Sequence, residues 1–284
     1  MPRSLPKIFA ALLALILLAL VAVGLTGQRK SEQTRAELET QSAIAAQLLS
    51  LQEAGEDGEL GVAITASLET LAPAAREFEA VQVSDGSGRR VEQSLDALLS
   101  LGFDAQTTAD RERALMAAVR VWQGAVADGL VEGNYPSALE QRLEGLEGFV
   151  CDNPNPAPVE GAVSEPVLHL QDALGQLGYV AEVYAARAGQ EYGEVAETAG
   201  SWAKFAETLE GELSPILSCE GLLQAPAASY PLAEPADAST QLDATLAAIT
   251  ANAQAALGDS ALPTEADRVE LLLVKTLLDA GSAS

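Results

Sequence analysis

A short series of carboxylates is the first pattern in this sequence whose spacing suits chemistry. Glu191, Glu194 and Glu197 recur at every third residue within a predicted helix, which places them on one helix face. Aligned carboxylates of this kind can bind a metal ion inside a helical bundle. They equally suit the solvated start of a helix, where the macrodipole favours negative charge. The chain has a single histidine, His169, so we prefer the second interpretation and predict no bound metal.

Serine and histidine patterns give no stronger case for catalysis. Ser201 and Lys204 have the Ser-x-x-Lys spacing of one class of acyl-enzyme nucleophile, but the companion motifs of that class are missing. His169 stands among apolar residues of a predicted core helix, and we interpret it as structural. The sequence also lacks a glycine-rich phosphate loop. We therefore predict no catalytic residue and no cofactor, and we expect a protein that is not an enzyme.

The amino-terminal segment decides the compartment. An uncharged apolar run extends from Ile8 to Leu25, after Arg3 and Lys7. Its length fits a membrane helix and exceeds a usual signal-peptide core, so residues 1–30 are predicted to be a retained signal anchor. A cleaved signal peptide, cut before Leu25, is the alternative, and it would make the protein secreted. In both cases the rest of the chain is predicted to lie outside the cytoplasmic membrane.

Both cysteines, Cys151 and Cys219, lie in the exported body. An even and sparse cysteine count in an exported chain favours a single disulfide. The loop-entropy model assigns about 4 kcal/mol to a bridge that closes a loop of this size. Two buried free thiols are the alternative. We predict a Cys151–Cys219 bond.

The charge of the body excludes some partners. All 41 acidic residues and 12 of the 16 basic residues follow residue 30, so the body carries a formal charge of −29. A field of this sign repels phosphate backbones, and nucleic-acid binding is therefore not expected. The same field disfavours docking of the body on anionic lipid headgroups.

The pattern of the body predicts an all-α fold. Alanine, leucine and glutamate dominate, and no stretch shows sustained period-2 alternation. Helices are predicted at 31–54, 59–83, 90–101, 108–127, 134–146, 166–189, 191–213, 239–257 and 264–280. Thr108 is predicted as an N-cap, Pro73 as a kink and Pro215 as a helix stop.

A proline-rich stretch divides the body. Its prolines and asparagines predict a linker at 151–162, between a helical stalk or small helical domain at 31–150 and a four-helix bundle at 163–284. The second half resembles a ferritin-like domain of unknown function from exported proteins of high-GC Gram-positive bacteria. The resemblance rests on LQDALGQLGYVAEVYAARAG, AASYPLAEPADASTQLDATLAA and TEADRVELLLVKTLLDAG. The Glu-x-x-His motifs of di-iron bundles are missing, which predicts a bundle without its metal.

A second resemblance covers residues 91–143. VEQSLDALLSLGFD, AVRVWQ and DGLVEGNYPSALEQRL are similar, in order, to a three-helix peptidoglycan-binding domain. That resemblance implies Trp122 as a candidate ligand contact, while a core aromatic is the alternative role for this residue.

Together these observations predict a non-enzymatic binding or scaffold protein of the cell envelope, anchored in the membrane through residues 1–30. The alternatives are peptidoglycan binding through residues 91–143 and a metal-dependent enzyme on the ferritin-like bundle. A cell-wall or protein partner is expected in the first two cases.

Overall fold

The computed structural model describes residues 34–55, 58–76, 87–132, 134–146, 164–187, 192–219, 221–259 and 266–282. The predicted membrane segment 1–30, the predicted linker 151–162 and Cys151 all lie outside these residues. Within the described part of the chain, no helix combines the length and the apolar character that a bilayer crossing requires.

The described residues form nine α-helices and no strand, which confirms the predicted all-α class. The helices are α1 (34–50), α2 (Glu59–Glu69), α3 (Ser87–Phe103), α4 (Thr108–Ala127), α5 (Ser137–Glu144), α6 (Glu165–Ala186), α7 (Ala196–Cys219), α8 (Ala238–Leu257) and α9 (Ala266–Ser282). Short 3-10 helices occupy Pro73–Arg76 and Pro235–Asp237.

Helix α4 is the centre of the amino-terminal half. It packs against α2 and α3, and α3 also packs against α5. The run from Ala114 to Val119 is buried without interruption, as are Val121, Trp122 and Ala125. A helix that is apolar on nearly every side must be covered on nearly every side, and α4 meets that condition through its neighbours.

Helix α6 holds the carboxy-terminal half together through contacts with α7 and α8. The chain crosses from α7 to α8 through residues 222–234, which form no helix. Side chains fix this crossover: the backbone N–H of Ala233 donates to Gln241 Oε1 at 2.8 Å and to the Tyr184 hydroxyl at 3.0 Å. Tyr192 then donates its hydroxyl to the Ala233 carbonyl at 3.1 Å.

Helix α9 belongs to both halves. It packs on α7 and α8 in the carboxy-terminal half, and on α4 and α5 in the amino-terminal half. Its residues 269–274 are all buried, and they include the charged Glu270. The uninterrupted burial of this segment has a physical explanation, because helices of both halves pack on α9.

Two prolines act differently from the prediction. Helix α2 ends at Glu69, so Pro73 does not kink a longer helix but lies at the start of the 3-10 turn. Pro215 does not stop α7, which continues to Cys219. Burial of Ile216 and Leu217 explains the continuation, because their packing offsets the missing backbone hydrogen bond.

Two further boundaries differ at single residues. The N-cap of α4 is Thr107, not Thr108, and its hydroxyl accepts the Asp110 N–H at 3.1 Å. Gly102 lies within α3 and does not end it. A Cβ at Gly102 would lie 2.5 Å from a Leu115 methyl carbon, so this glycine permits the close packing of α3 on α4.

Candidate binding cavity

The predicted carboxylate series does not form a ladder. Helix α7 begins at Ala196, so Glu194 lies in the preceding turn and Glu197 lies in the first helical turn, where it is exposed. Glu191 lies outside the described residues. The expected placement of all three on one helix face is therefore wrong. No group of three metal-binding side chains occurs anywhere in the described part of the chain.

The other predicted residues are equally dispersed. His169 is exposed on α6, although Val167 and Leu170 nearby in the same helix are buried. Ser201 and Lys204 are exposed on α7, and the Ser201 hydroxyl donates to the Glu197 carbonyl at 3.3 Å. Trp122 is only 3% exposed, so it occupies the core of the amino-terminal half. A ligand could reach the Trp122 ring only if that core opened.

Cys219 is the last residue of α7 and is half-buried. It is not a free thiol, and no free cysteine occurs among the described residues. Because Cys151 lies outside those residues, the Cys151–Cys219 pair stays a prediction.

A cavity of about 580 Å³ lies where α5, α7 and α9 meet. Its walls combine apolar side chains with a few polar ones. The apolar part includes Leu143, Leu146, Pro215, Ile216 and Leu272. This volume falls within the range of small-molecule sites, which are concave, largely apolar and supplied with a small number of polar groups.

Lys275 is the positive charge of this cavity. Its Nζ lies 3.0 Å from Glu212 Oε2 and 3.1 Å from Asp279 Oδ2, and its side chain is 12% exposed. Burial alone would lower the pKa of Lys275, but the two carboxylates outweigh burial and raise the pKa above its ordinary value. The ammonium is therefore protonated and already paired with protein carboxylates.

Tyr135 is the fourth member of the polar network that Lys275 forms with Glu212 and Asp279. Its hydroxyl donates a hydrogen bond to Asp279 Oδ1, and its ring centroid lies 6.0 Å from Lys275 Nζ. Burial, together with the hydrogen bond and the negative charge of Asp279, raises the pKa of Tyr135 far above its ordinary value. The phenol is therefore neutral and acts as a hydrogen-bond donor.

Pro215 changes the hydrogen bonding of the α7 wall. Because proline has no N–H, the carbonyl of Gly211 lacks its usual donor four residues later. Gly211, Glu212 and Pro215 all line the cavity. Glu212 Oε2 is itself buried, and it pairs with Lys275 Nζ at 3.0 Å. This wall therefore has acceptor capacity next to the cavity.

These protonation states favour binding over covalent catalysis. A nucleophilic or basic lysine needs a lowered pKa, whereas the pKa of Lys275 is raised. A general base at neutral pH needs a pKa near 7, which the direction of the Tyr135 shift opposes. The arrangement can instead orient a ligand through fixed charges and hydrogen-bonding groups.

The sequence prediction missed this site because its polar residues are far apart in the chain. Tyr135, Glu212 and Lys275 belong to three segments that only the fold brings together. One signal was present: Lys275 and Asp279, four residues apart, are the only charged residues in the sequence after Glu270. Charged residues in a helix that is otherwise buried need partners, and that requirement points to a polar site.

A second concavity lies on another side of α9. It has a volume of about 1140 Å³ and lies between α2 and α4 on one side and α7 and α8 on the other. Small side chains such as Ala63, Ala66, Ala247 and Ala251 form part of its walls. This groove is broader than the 580 Å³ cavity, and polar side chains such as Arg120, Gln123 and Asp243 also line it.

No protein-family model, curated protein or solved structure matches this chain. The ferritin-like and peptidoglycan-binding resemblances therefore remain proposals that rest on the sequence.

Proposed function

We propose that this chain is a non-enzymatic, exported protein of the cell envelope that binds a small ligand in the cavity between α5, α7 and α9. The observation that carries the proposal is the convergence of Tyr135, Glu212 and Lys275 on one largely apolar cavity. In this proposal residues 1–30 anchor the protein in the membrane, and the body lies outside it.

The architecture of the carboxy-terminal half is part of the proposal. We regard α6, α7, α8 and α9 as a four-helix bundle with one long crossover, as the ferritin-like resemblance implies. Packing of α6 on α7 and α8, and of α8 on α9, supports this arrangement. The side-chain bonds that fix residues 222–234 also support it, since a long crossover needs such attachments.

A scaffold role alone would not require a polar cavity. Burying Lys275 with two carboxylates carries a desolvation cost that a purely apolar contact between α7 and α9 would avoid. Retention of these charges at the wall of a cavity therefore favours ligand binding over a merely structural contact.

The other two functions have less support. Peptidoglycan binding through residues 91–143 assigned the ligand contact to Trp122, and the burial of Trp122 disfavours that role. A ferritin-like enzyme needs a cluster of metal ligands, and its predicted carboxylates are separated between a turn and a helix.

Calorimetric titration of the full chain in nanodiscs of neutral lipid tests the proposal, with empty nanodiscs as the blank. The probes are 1-naphthylmethylammonium, 1-naphthylmethanol and 1-naphthoate, which share one ring system and differ in charge. We expect at least one probe to bind, and we expect Gly211→Trp to abolish that binding. A Cβ at Gly211 would meet open space, so the indole can occupy the cavity without a clash at its base.

Gly200→Trp is the matched control. Gly200 is also a glycine of α7 whose Cβ would meet open space, but it does not line the cavity. Binding that survives in both tryptophan variants, or is absent from the wild type for all three probes, would contradict the proposed site.

A further inference from the structure

We infer that the cavity between α5, α7 and α9 selects a ligand with an apolar body and a protonated amine, an organic cation rather than an anion. This inference rests on the proposed function and adds the chemical class of the ligand. The charges, the acceptors and the apolar walls of the cavity all favour such a ligand.

Carboxylates outnumber ammonium groups at the wall. Glu140 and Glu144 of α5 and Glu212 of α7 line the cavity, and Lys275 is the single basic residue in its lining. Asp279 lies directly behind Lys275 and pairs with it at 3.1 Å. The charge of Lys275 is therefore more than balanced before any ligand arrives, and the local field favours a cation.

The nearest arginine does not change this balance. Arg142 belongs to α5, but its Nη2 lies 3.5 Å from Asp104, and its guanidinium lies 4.6 Å from the centroid of the Phe103 ring. These contacts direct it toward α3 and away from the cavity, whose lining does not include it. The formal charge of the whole chain, −25, adds to the preference against anions.

The free hydrogen-bonding capacity of the α7 wall consists of acceptors. The Gly211 carbonyl lacks its usual helical donor because of Pro215, and the carboxylate of Glu212, which pairs with Lys275, has only acceptor oxygens. An ammonium supplies donors and no acceptor, so it complements these two groups. A carboxylate ligand would place acceptor against acceptor.

Apolar side chains define the rest of the ligand. Leu143, Leu146, Ile216 and Leu272 line the same cavity as the carboxylates. A small hydrated cation would leave these surfaces uncovered, whereas a ring or a short alkyl body would remove them from water. The combination specifies an amphiphilic amine.

The titration described for the proposed function also tests this inference through its order of affinities. We expect 1-naphthylmethylammonium to bind about tenfold more tightly than 1-naphthylmethanol, as one charge-assisted hydrogen bond would give, and 1-naphthoate to bind most weakly. Equal binding of the ammonium and the alcohol, abolished by Gly211→Trp, would overturn the cationic preference and leave the proposed site intact. Failure of all three probes would contradict the site itself.

The double variant Glu140→Gln/Glu144→Gln isolates the charge. Both residues are exposed on α5, so the substitutions leave the Lys275 pairs in place. We expect a loss of ammonium affinity of about threefold to tenfold, with the affinity for the alcohol unchanged. Glu92→Gln/Glu207→Gln is the control, because it removes the same net charge from exposed positions outside the cavity. Equal losses in the two double variants would overturn the local charge argument.

Discussion

At the scale of single residues, Lys275 is the centre of the polar network at the cavity wall. It lies in α9, where every other residue from 269 to 280 except Asp279 is buried, and its ammonium contacts two carboxylates and faces one aromatic ring. Burial alone would lower the pKa of Lys275, and its two carboxylate partners outweigh that effect. The cavity therefore depends on a small network at its wall.

The Tyr135 hydroxyl is the simplest member of that network to test. Tyr135→Phe removes one hydrogen bond to a carboxylate that also holds Lys275, and we expect the free energy of unfolding to fall by about 1 kcal/mol. Urea denaturation measures the change. Tyr230→Phe is the control, because its hydroxyl donates to Asp172 at 3.1 Å at an exposed position. An equal or larger loss in Tyr230→Phe would contradict the importance of the cavity network.

Stability should decrease in alkaline solution through the same residues. The pKa values of Tyr135 and Lys275 are raised on folding, so the native state retains protons that the unfolded chain loses above about pH 10. The native state then binds more protons, and the free energy of unfolding must fall as pH rises. Urea denaturation between pH 8 and pH 11 (about the range in which both unfolded groups titrate) measures the slope.

The double variant Tyr135→Phe/Lys275→Met should have a shallower alkaline slope than the wild type. It lacks both groups whose pKa is raised in the network. A slope as steep as that of the wild type would show that other residues cause the alkaline loss.

At the scale of the helices, two features join the start of α2 to α4: a cap from a distant residue and a glycine that permits close packing. Asp128 follows the end of α4, and its carboxylate accepts the N–H groups of Glu59 and Leu60, each at 3.0 Å. The start of α2 is thus capped by a residue far along the chain. Gly124 of α4 lies against the same turn of α2.

Two glycine substitutions should have opposite effects. A Cβ at Gly124 would lie 2.7 Å from Leu60 Cα and 2.9 Å from the Glu59 carbonyl oxygen, so we expect Gly124→Ala to destabilise the protein by about 1–3 kcal/mol. A Cβ at Gly200 would meet open space within a helix, so Gly200→Ala should stabilise it by up to about 1 kcal/mol. Thermal and urea denaturation measure both. A neutral Gly124→Ala would contradict the close packing of α2 on α4.

The sequence predicted helix ends correctly where the local residues themselves form a turn. Helix α4 ends at Ala127 as expected, because Asp128 and Gly129 form a turn in which Gly129 has a φ of 67°. The prediction failed at Pro215, where buried neighbours keep α7 helical. It also could not identify the cavity, because Tyr135, Glu212 and Lys275 meet only through long-range packing. Local helix propensity contains no information about such long-range contacts.

At the scale of the whole molecule, α9 joins the two halves. Arg111 Nη1 of α4 lies 2.5 Å from Glu270 Oε1 of α9, and the Glu270 side chain is 2% exposed. Gln123 of α4 donates its side-chain N–H to the Leu277 carbonyl at 3.1 Å. The sequence boundary at 151–162 therefore separates halves that are in direct contact through a buried ion pair.

Removing one charge of this pair should lower the free energy of unfolding more than replacing both residues with apolar ones. We expect Glu270→Gln to lower the free energy of unfolding by about 3 kcal/mol, because Arg111 would lose its charged partner at a largely buried site. Arg111→Met/Glu270→Met should cost less than Glu270→Gln, since neither charge is then left alone. Urea denaturation of both variants gives the comparison. Unchanged stability in Glu270→Gln would contradict a structural role for the pair.

Export into an oxidising compartment is the central claim of the proposed function, since it would place the body and its cavity outside the cytoplasmic membrane. Fractionation of the source cells, with alkylation in the absence of reductant and measurement of the intact mass, tests it directly. The account predicts recovery from the envelope or the medium, with both cysteines unmodified and a mass two hydrogens below that of the reduced chain. Recovery from the cytosol with Cys151 and Cys219 both alkylated would contradict it.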